Sequence, residues 1–176
     1  MPEPGNTDKA AGAAPATAPT AAHRRFLVFR LGSRHYALPA SDILEVIRIP
    51  PLARVPQAPA ALLGIGNLRG QVLPVAGLRA LLGMEQQVAA ESARALIVDV
   101  GGHIALAVDA VESLAEVARD QVETRPAELA ALPGEQLHGA FHLNGAAGGD
   151  TVKVLDIAPL LRGGELRTVL LHAVCV

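Results

Sequence analysis

The chain has 176 residues, a formal net charge of −2 and a composition that is 51% hydrophobic but only 2% aromatic. This length suits one domain with tails and is enough to bury a core, which must be built from Val, Leu, Ile and Ala. The near-neutral charge gives no general attraction to nucleic acid, and the shortage of aromatic side chains argues against stacking on single-stranded bases. The single cysteine, Cys175, excludes an internal disulfide.

Targeting and membrane signals are weak along the whole chain. No apolar run approaches the ~20 residues needed to span a bilayer, and the N-terminal segment lacks the large apolar residues of a signal peptide. We therefore expect a cytoplasmic protein without membrane insertion. Residues 1–24 are rich in Ala, Pro, Thr and Gly, and we predict a disordered tail there because little apolar surface is available to offset the entropy of ordering.

Pairs of β-prone runs separated by turn residues predict three hairpins. The paired runs are 26–31 with 34–38, 94–100 with 103–109, and 137–143 with 151–156. Residues 43–47 and 111–117 resemble further strands, and brief helices are predicted at 57–63, 77–82, 157–162 and 165–174. Short strands with frequent turns predict a mainly β fold.

Residues 61–83 carry the most informative pattern. Gly64, Gly66 and Gly70 suggest a phosphate-binding loop, but their spacing is one residue too wide and a strand-like run follows where a helix is required. A tight turn between two apolar runs remains. It is either an ordinary hairpin turn or one that displays Arg69 to a partner. Glu45 likewise either protects an edge strand or contacts a partner.

The search for catalytic and metal-binding residues is largely negative. Two pairs of possible ligands have suitable spacing but lack the companions that a four-ligand zinc site needs. They are His138 with His142, and His172 with Cys175. Asp99, Asp109 and Asp156 end or follow strands, where turn capping is the usual role of aspartate. We predict no enzyme activity and no catalytic, cofactor or metal site.

Residues 61–83 also carry a longer pattern. Its residues are Gly64, Asn67, Leu68, Arg69, Gly70, Pro74, Val75, Leu78, Arg79, Leu82 and Gly83. This pattern resembles the signature of CheW-like chemotaxis coupling proteins. Further similarity lies at 26–32, 36–38, 43–46, 107–111 and 155–161, so the resemblance runs in order from about Phe26 to Arg162. It implies a CheW-like domain at 25–163, between the tail at 1–24 and an apolar extension at 164–176.

This resemblance implies a fold of two small SH3-like β-barrels packed side by side, with a few short helices. It also implies a non-catalytic adaptor that couples methyl-accepting chemoreceptors to a CheA-type histidine kinase, whose regulatory domain has the same fold. The expected partners are that regulatory domain and the helical cytoplasmic tip of the receptor. The protein would be cytoplasmic and recruited to membrane receptor arrays. The alternative is a CheW-like scaffold for twitching, polar localisation or another chemosensory output.

The resemblance also implies a receptor-binding groove between the barrels. Its residues would be Ile43, Glu45, Gly64 and Arg69, with Val46 and Leu68 as apolar support. The alternative for Arg69 is that it bonds backbone carbonyls and holds the turn. One departure concerns Ile47, which stands where many members of the family have an arginine; Arg48 follows it.

Overall fold

The computed structural model describes residues 23–87, 90–124, 129–143 and 149–162. Most of the predicted tail, and the predicted helix at 165–174, lie outside the described residues. The first strand begins at His23, inside the segment predicted as tail.

Ten strands and a few short helices make up the described chain. The strands are β1 His23–Leu31, β2 Arg34–Pro39, β3 Ile43–Arg48, β4 Leu62–Leu68, β5 Gln71–Gly77, β6 Arg94–Asp99, β7 His103–Val108, β8 Ala110–Ala118, β9 Leu137–His142 and β10 Thr151–Leu155. The α-helices are α1 Leu78–Leu81 and α2 Ile157–Arg162, and short 3-10 helices lie at Ala40–Asp42 and Arg119–Gln121. No helix within these described ranges is long and apolar enough to cross a membrane.

The strands form two five-stranded sheets with the orders β8-β1-β2-β10-β9 and β3-β6-β7-β5-β4. We call the first the terminal barrel and the second the central barrel. In each, an isolated bridge joins the two edges of the sheet. Ala53, which follows β3, bridges Ile65 of β4, and Glu123, which follows β8, bridges Ala140 of β9. The sheets therefore close on themselves.

Glycine makes this closure possible in both barrels. A Cβ atom on Gly64 would lie 2.6 Å from the carbonyl oxygen of Ala53, and one on Gly139 would lie 2.5 Å from that of Glu123. Neither distance is compatible with a side chain, so the two backbones can approach at the seam only because both positions are glycine.

A hydrophobic core runs from one barrel to the other. The largest buried cluster combines residues of both barrels: Phe29, Leu31, Tyr36 and Leu38 with Leu78, Leu96, Ile104 and Leu106, among others. Smaller clusters fill each barrel, around Phe26 and Phe141 in the terminal one and around Val75 and Ile97 in the central one. The interface between the barrels is therefore mainly apolar.

The predicted strands and hairpins are confirmed by the strand pairing. β1 pairs with β2, β6 with β7, β9 with β10, and β4 with β5, all antiparallel. The helix predicted at 57–63 is wrong. Leu62 and Leu63 belong to β4, and the segment before them is a turn in which Leu62 N–H donates to the Pro59 carbonyl at 2.9 Å. The prolines and the pairing of Leu62 with Ala76 favour the strand here.

Candidate protein-binding site

The turn between β4 and β5 holds Arg69 in an unusual backbone conformation. Arg69 has φ 53° and Gly70 has φ 85°, while Leu68 and Gln71 on either side are paired. Positive φ at both central residues is what a two-residue hairpin turn requires. The Asn67 Oδ1 atom accepts a hydrogen bond from Gly70 N–H at 2.9 Å. Asparagine and glycine thus stabilise the turn, and Arg69 is carried at its tip.

Arg69 forms an ion pair with Glu45 on β3. The Arg69 Nη2 atom donates to Glu45 Oε1 at 2.7 Å, although the two side chains remain 75% and 36% exposed. β3 and β4 are opposite edges of the central sheet, so the pair spans the seam of the closed barrel. An exposed pair of this kind contributes less than about 1 kcal/mol to folding. Both charged groups remain accessible to a partner.

Exposed apolar side chains lie on β3, which carries Glu45, and on β5, which follows the Arg69 turn. Leu44 is 55% exposed and Val46 is 40% exposed, both on β3, while Val72 on β5 is 65% exposed. Leu44 is the extra residue of a β-bulge, since Ile43 pairs with Val98 and Glu45 with Ile97. Exposed apolar residues combined with a charged pair are typical of a protein-binding surface.

The other residues predicted for this groove are less exposed. Ile43 is half-buried against the shared core, and Leu68 is half-buried against the core of the central barrel. Gly64 is buried at the seam. The structure thus brings Glu45 and Arg69 together and exposes Val46 next to Glu45 in the strand. By contrast, Ile43 and Leu68 contribute packing, and Gly64 contributes the close backbone approach at the seam.

Ile47 and Arg48, the two residues at the departure from the family pattern, differ in burial. Ile47 packs against the core of the central barrel, whereas Arg48 is exposed at the end of β3. Arg48 therefore lies on the same face of the strand as Val46, because alternate residues share a face.

A second charged cluster lies between the barrels, and no sequence pattern predicted that its members would meet. Arg79 Nε donates to Asp109 Oδ1 at 2.9 Å, and Arg79 Nη2 donates to Oδ2. The hydrogen bonds from Arg79 hold the pKa of Asp109 below its ordinary value, against the opposing effect of burial. Asp109 also accepts from Gly32 N–H at 2.7 Å. The predicted turn-capping role of Asp109 omitted its arginine partner.

A third cluster surrounds Glu135, a residue that the sequence patterns did not single out. Its fully buried carboxylate accepts from Tyr36 OH at 2.6 Å, from Lys153 Nζ at 2.9 and 3.1 Å, and from the N–H groups of Ala131 and Leu132 at 2.6 and 3.2 Å. The Nη1 atom of Arg34 lies 3.6 Å from the same group. No local pattern predicts this site, because its members are distant in sequence.

These contacts shift the pKa values of both partners in the Tyr36–Glu135 hydrogen bond. Burial raises the pKa of Glu135, but the hydrogen bonds from Tyr36, Ala131 and Lys153 outweigh it and leave the pKa below its ordinary value. Burial, together with the bond to Glu135, raises the pKa of Tyr36. The carboxylate is therefore ionised and the phenol neutral at neutral pH.

The histidine pair whose spacing suits metal ligands lies on a strand and not on a helix. His138 and His142 both lie on β9, where four residues span about 13 Å, so the spacing that would bring them together on a helix separates them here. Within the described ranges, no group of three or more His, Cys, Asp or Glu side chains could hold a metal ion. His172 and Cys175 lie outside those ranges.

Comparison with known proteins agrees with this architecture. The sequence profile of the CheW-like domain matches residues 25–165. The chain is 25% identical over 147 residues to the chemotaxis protein CheW of Klebsiella aerogenes, covering 83% of this chain and 86% of that one. Helicobacter pylori CheW is 36% identical over 81 residues, which are 46% of this chain and about half (49%) of that protein.

Two further relatives have other names. Protein PilI of Pseudomonas aeruginosa is 29% identical over 115 residues, which are 65% of each chain. Protein FrzA of Myxococcus xanthus is 26% identical over 147 residues, or 83% of this chain and 90% of that one.

A solved structure, the scaffolding protein TtCheW from Thermoanaerobacter tengcongensis, superimposes with a TM-score of 0.71. The match covers 81% of this chain and 94% of that one at 23% sequence identity. The predicted fold of two SH3-like barrels is thereby confirmed, and the chain is a β-rich module of two closed barrels. The chain belongs to the CheW-like domain family.

Proposed function

We propose that this protein is a non-catalytic adaptor that couples methyl-accepting chemoreceptors to a CheA-type histidine kinase. The observation that carries the proposal is the exposed Glu45–Arg69 pair at the seam, with exposed Val46 and Leu44 on the same strand. A guanidinium offers several fixed donors to a carboxylate or to helix-end carbonyls, and apolar neighbours exclude water from that contact. On the family pattern, the helical receptor tip docks at this surface.

We also propose the kinase partner and the cellular location that the family resemblance implies. The kinase would be bound through its regulatory domain, which has the same fold. The adaptor would be cytoplasmic and recruited to receptor arrays. Neither a cofactor nor a metal ion has a role in this mechanism, which consists of binding two proteins at once.

The test is the affinity of the full-length protein for a soluble cytoplasmic-tip fragment of a chemoreceptor, measured by calorimetry. We expect Arg69→Ala to weaken binding at least about tenfold, the equivalent of about 1.4 kcal/mol, because interface arginines often contribute more than that. Arg119→Ala is the matched control, since this exposed arginine lies on the terminal barrel.

The same variants distinguish the two roles of Arg69. If Arg69 contacts the receptor, the melting temperature of Arg69→Ala should fall by no more than about 4 °C. A much larger fall, with unchanged affinity of the folded fraction, would instead show that Arg69 serves to hold the turn.

The second candidate is a CheW-like scaffold for another output, such as twitching or polar localisation. It is favoured by the similarity to PilI and FrzA, which is comparable in identity to that with Klebsiella CheW. Co-purification with a CheA-type kinase separates the two candidates. A folded protein that binds neither the kinase regulatory domain nor a receptor tip would contradict the first.

A further inference from the structure

Arg79 is the most deeply buried cation in the described chain, and its contacts reach several segments. It lies on α1 of the central barrel and is only 7% exposed. Besides its bonds to Asp109, its Nη1 atom donates to the Glu85 carbonyl at 3.3 Å and its Nη2 atom to Gln87 Oε1 at 3.2 Å. The guanidinium therefore ties α1 to the segment that leads toward β6.

Asp109 occupies the single residue between β7 of the central barrel and β8 of the terminal barrel. Its carboxylate accepts from Gly32 N–H in the β1–β2 turn, and its own N–H donates to the Arg30 carbonyl at 3.2 Å. Its carbonyl accepts from Ser92 Oγ at 2.9 Å. Asp109 thus contacts the terminal barrel through its N–H and carboxylate, and it contacts the central side through its carbonyl, which meets Ser92, and through the bonds from Arg79.

The surrounding interface consists of apolar side chains from both barrels. The hydrophobic effect itself is non-directional, so at this interface apolar side chains fix the orientation only through the way they pack. A two-point bond between a guanidinium and a carboxylate has a fixed geometry and is among the stronger hydrogen-bonded contacts in proteins. The polar contacts therefore add a fixed angular constraint to the one that packing provides.

We infer that Arg79, Asp109 and the Gly32 N–H form an inter-barrel lock that sets the relative orientation of the two barrels. Arg79 is a positioning residue, since it is buried away from any partner. The inference rests on the proposed function in one respect: the orientation of the barrels sets the shape of the groove between them in which a receptor tip would dock. The orientation itself can be measured without any partner.

The direct test is the distance between spin labels on the two barrels of the full-length protein, measured by pulsed electron paramagnetic resonance. Labels go on Arg119→Cys in the terminal barrel and Gly102→Cys in the central barrel, in a Cys175→Ser background that removes the native thiol. A Cβ atom on Gly102 meets no atom within 4 Å. We expect one narrow distribution for this parent, and a broader or displaced one for Arg79→Met and for Asp109→Asn.

The two lock variants complement each other. Arg79→Met keeps the aliphatic bulk but removes all the donors. Asp109→Asn keeps an acceptor for Gly32 N–H but removes the charge, so it remains informative if Arg79→Met folds poorly. Val154→Ala is the control for general loss of stability, because Val154 belongs to a cluster confined to the terminal barrel.

The inference is overturned if both lock variants keep the parent distribution, or if Val154→Ala broadens it equally. In a second measurement, the lock variants should bind the receptor-tip fragment about 2- to 30-fold more weakly, the range produced by residues that touch neither ligand. If the parent does not bind the fragment at all, the proposed function fails while the distance result still decides the lock.

Discussion

In the central barrel the charged pair Glu45–Arg69 lies at the surface, whereas in the terminal barrel the charged cluster around Glu135 is buried. The two barrels have the same strand order once the strands are numbered with a circular shift. β3 to β7 correspond to β8, β9, β10, β1 and β2, since each set has the same neighbours and the same parallel pair. Position-by-position comparison is therefore possible between the two.

The edge strands correspond closely. Glu112 is the extra residue of a bulge in β8, as Leu44 is in β3, because Phe29 pairs with Val111 and Val28 with Ser113. Leu114 then corresponds to Val46, and it is also exposed, at 54%. Ser113 stands in the place of Glu45. The terminal barrel thus closes without a counterpart of the Glu45 carboxylate, which indicates that barrel closure does not require it.

The buried Tyr36–Glu135 hydrogen bond, in turn, belongs to the terminal barrel and has no counterpart at the corresponding positions of the central barrel. The registers place the buried Ile104 where the terminal barrel has Tyr36. Matching backbone bonds, from Gly77 N–H to the Ala61 carbonyl and from Asp156 N–H to the Gln136 carbonyl, place the exposed Ala60 where the terminal barrel has Glu135. The central barrel therefore has neither member of the buried Tyr36–Glu135 hydrogen bond. A buried ion network is costly to break, while an exposed pair contributes little. The Glu135 cluster therefore contributes to stability, whereas the Glu45 and Arg69 side chains remain exposed.

The largest expected effect comes from removing the buried carboxylate. Glu135→Ala should lower the free energy of unfolding by about 3–5 kcal/mol, because Lys153 and Tyr36 would keep buried polar groups without their partner. Urea denaturation of the full-length protein measures this. A loss below about 1 kcal/mol would place Glu135 in the same class as an exposed pair and remove the contrast between the barrels.

The seam glycines should have the next largest effect, and it should be similar in both barrels. Gly64→Ala and Gly139→Ala each place a methyl group against a backbone carbonyl, which should cost about 1–3 kcal/mol. Gly102→Ala, with open space around it, should change the free energy by less than about 0.5 kcal/mol. If one seam variant is neutral, its barrel does not close as tightly as the other.

Acid should weaken both the buried cluster and the inter-barrel lock. The pKa values of Glu135 and Asp109 are lowered in the folded protein, so their contribution is complete above the unfolded pKa values of about 4 and is lost as pH falls through the folded values. Unfolding free energies measured from pH 7 to pH 3 should therefore decline less steeply in Glu135→Gln and Asp109→Asn. Glu116→Gln, at an exposed carboxylate, is the control; slopes unchanged in both test variants would contradict the prediction.

The smallest effect on stability is expected at the exposed seam. A double-mutant cycle with Glu45→Ala and Arg69→Ala, followed by urea denaturation, should give a coupling free energy below about 1 kcal/mol. A coupling above about 2 kcal/mol would mean that the pair closes the central barrel, contrary to the comparison with Ser113. Such a coupling would also mean that these charges serve folding before they serve a partner.

Local sequence patterns predicted most of the strands and the turns between them. Alternating β-prone runs around Gly32, around Gly101 and around Arg69 and Gly70 predicted hairpins, because positive φ at a turn demands glycine or a tolerated exception. The error at residues 57–63 has the same origin. A helical turn after Pro59 was locally acceptable, but the pairing of Leu62 across the sheet decided otherwise.

The sequence by itself determined the mainly β composition of the fold, the tight turn that carries Arg69, and the resemblance that named the family. Only the tertiary structure decided which charges meet. Glu45 and Arg69 are 24 residues apart, Arg79 and Asp109 are 30 apart, and Tyr36 and Glu135 are 99 apart. Hydrophobic periodicity specifies which face of a strand is buried. A contact between distant charges depends on how the sheets close and how the two barrels pack, which no local sequence pattern specifies.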